Sequence, residues 1–159
     1  MDVKHRIQTL GYALPTASTP AGNYVPALRV GDLVFVSGQL PLRDGRLVLT
    51  GKVGQGGHPV ETAVEAARQC VLNALAAVEQ LVGLDEVTGV VRAGVHVNSA
   101  PGFTQQPAVA NGASDFLVEV FGDAGRHTRI AVGANELPLD AAVEIDFIFA
   151  VGGRLAARG

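Results

Sequence analysis

Few residues in this chain are equipped for chemistry. The single cysteine, Cys70, sits inside an apolar helical pattern with nothing nearby in sequence to lower its pKa, so it reads as a buried structural thiol. The histidines, His5, His58, His96 and His127, lack the HxH or HxxxH spacing of a metal site. Gly54, Gly56 and Gly57 precede Pro59, but no Lys-Ser/Thr follows, so the phosphate signature is weak and a flexible connection is expected. The segment Arg126-His127-Thr128-Arg129 is more informative. Arg129 opens an apolar strand, where a rigid permanent charge is costly unless it meets an anion or faces water. Glu144 is its counterpart, a carboxylate inside the most regular strand pattern of the chain. The plain reading is a solvated strand end for Arg129 and a half-exposed carboxylate for Glu144. If they lie on neighbouring strands, they supply one fixed cation and one proton carrier, which suits water addition to a small carboxylate.

The elements that must carry these groups are legible in the spacing of apolar residues. Asp2 can cap a helix with Val3, Ile7 and Leu10 on one face and Gly11 at its end. Tyr24 to Val30 and Leu33 to Gln39 flank Gly31-Asp32, a two-residue hairpin signal, and Pro26 marks the first as an edge strand. Asp44-Gly45 predicts a second turn, between 40–43 and 46–49. Val64, Ala67, Val71, Leu75, Val78 and Val82 recur at helical spacing between Pro59 and Gly83. Val91, Ala93, Val95 and Val97 alternate with Arg92 and His96 in a strand over 90–98. A helix is expected over 107–121, then strands over 130–134 and 142–151. Two long helices on one face of a mixed sheet of about six strands is the simplest α+β packing. The other face would be bare in a lone chain.

Length and composition agree. At 159 residues a single domain is expected, large enough for a core without metal or disulfide staples. Hydrophobic residues make up 48% and charged ones 17%, with a mean hydropathy of +0.29, which excludes disorder. Low charge fits a surface partly covered by another copy of the chain. The net charge of −3 argues against nucleic-acid binding. No apolar run approaches the ~20 residues of a membrane span, and the start lacks a signal peptide's apolar stretch, so a cytoplasmic protein is expected.

The motifs also carry a resemblance. Tyr24-Val25 followed by Phe35-Val36-Ser37-Gly38-Gln39-Leu40-Pro41 resembles the opening signature of the RidA/YjgF family, also labelled L-PSP endoribonuclease-like. Arg129-Ile130-Ala131-Val132, Leu137-Pro138 and Val143-Glu144-Ile145 resemble its closing signature, and Asn111-Gly112-Ala113-Ser114-Asp115-Phe116 the helix between. Residues 20–151 are covered. The first 19 residues, as an N-terminal helical extension, and the loop over 50–58 resemble a longer subgroup.

The resemblance implies a chorismate-mutase-like fold of the bacillary type over residues 1–159. It implies a homotrimer whose sheets form an inner barrel, with sites between subunits and no membrane or nucleic-acid partner. It also implies cofactor-free hydrolysis of 2-imino or enamine acids to 2-keto acids and ammonia. In that scheme Arg129 pairs with the substrate carboxylate, and Glu144 activates water with the backbone carbonyl of Ala131. Gly38 offers its N–H, Tyr24 its hydroxyl, Asn111 supports the pocket, and Ser37 lies beside Gly38 among the substrate-binding residues. The alternatives are a non-catalytic binder of small carboxylates with a regulatory role and, ranked last, an endoribonuclease.

Overall fold

The computed structural model describes residues 2–153. Helix α1 spans Val3–Thr9, capped where the Asp2 carboxylate accepts the His5 N–H at 3.1 Å. Strands β1 (Ala27–Val30) and β2 (Leu33–Gln39) form the expected hairpin, with Val30 opposite Leu33 and Gly31 at φ 59°. Here β1 begins later than expected, after Pro26, whose ring nitrogen cannot donate to a ladder. The short strands β3 (Leu42–Arg43) and β4 (Arg46–Leu47) form a separate hairpin. The main sheet therefore has five strands rather than about six.

Helix α2 (Val60–Leu81) and helix α3 (Gln106–Phe121) bracket strand β5 (Val87–Asn98). Strands β6 (Thr128–Ala134) and β7 (Val143–Val151) follow. The sheet order is β1-β2-β7-β5-β6, with only the β5–β6 pair parallel. Both long helices cover one face. Beneath them Val34, Val36, Ala93, Val95, Val143, Ile145, Phe147 and Phe149 make the core. Burying each large apolar side chain contributes about 1.5–3 kcal/mol. In β5 the expected stripe shifts at one end: Val90 is buried and Val91 only partly, because the register against β7 slips between Val90 and Arg92.

The opposite face is uncovered, and Leu28, Val30, Phe35 and Ile130 remain exposed. The loop over 50–58 is not the loose connection its glycines suggest. Val53 is fully buried, donates its N–H to the Asn98 carbonyl at 2.7 Å, and accepts from Ala100 at 2.8 Å. Gly54, at φ 119°, lies against Phe103, where a side chain would not fit.

The N-terminal segment is fastened to α2 and α3. Arg6 Nε donates to the Glu119 carbonyl at 2.9 Å, and Val3 and Ile7 are buried. The Tyr12 ring meets Phe116 edge-on with centroids 5.0 Å apart. Arg68 lies over both rings, 5.5 and 5.8 Å from their centroids, and donates to the Tyr12 hydroxyl at 2.7 Å. Its Nε is buried and has no hydrogen-bond partner among the described residues.

Candidate functional site

The residues singled out from sequence fall into two groups on opposite faces of the sheet. Glu144 of β7 lies opposite His96 of β5, and Arg129 of β6 lies opposite Ala93. Ala93 is buried toward the helices, whereas His96 belongs to the open face. Strand β5 also separates β6 from β7. The condition that the cation and the carboxylate lie on neighbouring strands is therefore not met within one chain. Side chains alternate between the two faces along each strand: Arg129 takes the side of Ala93, toward α3, and Glu144 the side of His96, so the two groups fall on different faces.

The first group is built around a β-bulge. Register between β2 and β7 shifts between Val36 and Gln39, which sets Ser37 and Gly38 out of the regular ladder. A Cβ on Gly38 would lie 2.3 Å from Glu144 Oε1, so the carboxylate lies there only because the residue is glycine. Glu144 is half-buried, and its pKa is raised above the ordinary carboxylate value of 4.5. Desolvation is the main cause; the nearby His96 lowers the pKa and Asp146 raises it. Ser37 Oγ donates to the Val25 carbonyl at 2.7 Å, which pins the loop that carries Tyr24. Tyr24 itself is 57% exposed and, with Val25, Leu28, Phe35 and Ser37, lines an open depression.

The second group joins α3 to β6. Arg129 Nη1 donates to Asn111 Oδ1 at 2.8 Å and to Ser114 Oγ at 3.2 Å. Ala131, two residues along β6, lies half-buried on the same side of the sheet. Ser114 also meets His127 Nε2 at 2.9 Å, and Ser114, Asp115, Val118, Arg126, His127 and Arg129 line a shallow cleft. Sequence reasoning passed over the Ser114–His127 pairing. The two are 13 residues apart, with no periodicity linking them, and meet only because α3 lies across the start of β6. Among the described residues no three His, Cys, Asp or Glu side chains are grouped as metal ligands. No helix of the described residues is long and apolar enough to cross a membrane.

The family described as "YjgF/chorismate mutase-like, putative endoribonuclease" matches residues 4–151. The chain belongs to the YjgF family. A curated relative, "Protein TCP17" of Trypanosoma cruzi, is 46% identical over 146 residues, covering 91% of this chain and 91% of that protein. A second, the "2-iminobutanoate/2-iminopropanoate deaminase" of Dermatophagoides farinae, is 30% identical over 137 residues, covering 86% and 92%. Among solved structures, a protein of unknown function from Agrobacterium tumefaciens is similar at 40% identity with a TM-score of 0.88, covering 94% of this chain and 92% of that one. The mixed sheet with helices on one face is consistent with the YjgF chorismate-mutase-like fold.

Proposed function

We propose that this YjgF protein hydrolyses reactive 2-imino acids, or their enamine tautomers, to 2-keto acids and ammonia, without a cofactor, at a site shared by two chains. The Arg129 group of one chain faces the Glu144 group of another in a homotrimer. The observation that carries the reading is the Glu144 carboxylate, half-buried against Gly38 with a raised pKa. A carboxyl group whose pKa is moved toward working pH both accepts and returns a proton efficiently. The Dermatophagoides farinae relative supports the substrate class. The bare apolar sheet face supports assembly, since Leu28, Val30, Phe35 and Ile130 gain by burial against another copy.

In the reaction, Arg129 holds the substrate carboxylate. Water, held by Glu144 and the Ala131 carbonyl, adds to C2 while the C=N electron pair moves to nitrogen. Glu144 takes the water proton and passes it to the amine. The C–N bond then breaks as the hydroxyl proton passes to Glu144, ammonia leaves and the keto group forms; the ammonia takes that proton away as ammonium. Protonated imines are already electrophilic, so no covalent nucleophile is required. The Tyr24 hydroxyl and Gly38 N–H complete the pocket, and Asn111 braces Arg129. The protein acts in the cytoplasm as one domain, with residues 1–19 as an added N-terminal segment and no nucleic-acid or membrane partner.

The test is release of keto acid and ammonia from freshly generated iminopropanoate. Acceleration that vanishes in Arg129→Ala is expected; equal rates for both proteins reject the reading. Binding without turnover is the alternative, favoured by the separation of the two groups within a single chain. Tight pyruvate binding with no turnover of any imino acid would select it. Endoribonuclease activity ranks last, because the net charge of −3 supplies little phosphate affinity.

A further inference from the structure

Arg129 is anchored by one nitrogen only. Nη1 donates to Asn111 and Ser114, and among the described residues Nε and Nη2 have no hydrogen-bond partner. That leaves one straight edge of the guanidinium, the Nε–Nη2 edge, for a planar two-oxygen ligand. The direction of that edge depends on which way the Ser114 hydroxyl points.

His127 sets that direction. Its Nδ1 lies 2.6 Å from the Gly125 carbonyl oxygen, which can only accept, so Nδ1 carries the proton. In the neutral ring Nε2 is then an acceptor, and the Ser114 hydroxyl, 2.9 Å away, donates to it. With its proton committed to the ring, Ser114 Oγ turns lone pairs toward Arg129, whose Nη1 donates across 3.2 Å. With the ring neutral, the order of donation runs from Arg129 to Ser114 to His127, and from His127 to the Gly125 carbonyl.

We propose that Ser114 and His127 are positioning residues for Arg129, holding its Nε–Nη2 edge in the orientation that receives a carboxylate side-on. This deepens the imine-hydrolase reading and rests on it, because it takes Arg129 as the carboxylate site. The competing account is purely structural: the Ser114–His127 bond merely fastens the 122–127 turn to α3.

Paired substitutions separate the accounts. His127→Asn keeps a donor for the Gly125 carbonyl but removes the Nε2 acceptor. His127→Gln places an acceptor at the reach of Nε2 and gives up the inner donor. The readouts are pyruvate affinity by calorimetry, KM and kcat for iminopropanoate, and 15N NMR of hindered rotation in the Arg129 guanidinium. Ser114→Ala and His127→Asn are expected to weaken pyruvate and raise KM by about 2–10-fold, the size of one net hydrogen bond, with kcat nearly unchanged. Guanidinium rotation speeds up in both, while Ser114→Thr and His127→Gln recover the parent values. Unchanged affinity and unchanged rotation in Ser114→Ala and His127→Asn overturn the inference, as does greater harm from His127→Gln than from His127→Asn. If Arg129→Ala leaves pyruvate binding intact, the imine-hydrolase reading falls. The rotation measurement then still decides whether Ser114 and His127 orient the guanidinium.

Discussion

The Arg129 and Glu144 patches meet opposite physical conditions. Arg129 lies at the sheet edge, exposed, with its charge compensated by the neutral acceptors Asn111 and Ser114. Glu144 lies on an inner strand, half-buried, and burial disfavours its charged form. One patch presents a permanent cation at low desolvation cost; in the other, burial raises the pKa of the carboxyl group. An orienting group belongs at the rim and a proton carrier in the drier place, since desolvation changes the second far more than the first. Each chain carries one of each, pointing away from one another, so chemistry that needs both requires a second copy.

The sharpest way to probe that contrast is to remove the proposed proton carrier while keeping its shape. Glu144→Gln is expected to lower kcat by about 10²–10⁴-fold, the usual contribution of a positioned acid–base group, with KM little changed. Arg129→Ala should act on the other parameter, raising KM by about 10–100-fold through loss of a charge-assisted pair. Steady-state kinetics of the two variants would break the comparison if both moved the same constant. Gly38→Ala is expected to imitate Glu144→Gln in milder form, because the new Cβ displaces Oε1; a crystal structure would show the carboxylate turned aside. Assayed at substrate concentrations below the parent KM, where each variant alone turns over little, co-refolding equal amounts of Arg129→Ala and Glu144→Gln chains should restore roughly a quarter of parent activity, since random pairing unites two intact halves at that frequency in a closed ring. No recovery would place both groups in sites within single chains.

The smallest effect is on stability. Because burial raises the Glu144 pKa in the folded state, the native protein binds that proton more tightly than the unfolded chain. Stability therefore falls as pH rises from the unfolded value through the raised folded one, and levels off above it. Glu144→Gln should lack that decline and melt slightly higher than the parent at neutral pH, measured by calorimetry across the window.

Much of this arrangement is legible in the sequence, and the omissions have physical reasons. The helical stripe from Val64 to Val78, the Gly31-Asp32 turn and the alternation from Val143 to Phe149 are local patterns, and the structure follows them. Strand ends depend on pairing partners, so Tyr24, Val25 and Pro26 drop out of β1 and Val90 replaces Val91 in the core. The loop over 50–58 looked loose because its glycines are visible locally, whereas the Asn98 and Ala100 bonds that hold it come from 45 or more residues away. Arg129 and Glu144 stand out as charges in apolar strands. Their separation could not be read, because strand order and facing are tertiary facts. Ser114 and His127 are ordinary residues singly and acquire meaning only once α3 crosses β6.

The cation lying over the Tyr12 and Phe116 rings has a consequence for protein engineering. Arg68 carries a dry Nε and relies on the tyrosine for both a hydrogen bond and a ring to lie against. Trimming the first dozen residues would wet an aromatic surface and take the tyrosine from that guanidinium, which keeps Glu65 and the Phe116 ring. A shortened form should thus be stickier and less soluble, even though the clipped segment lies outside both proposed half-sites.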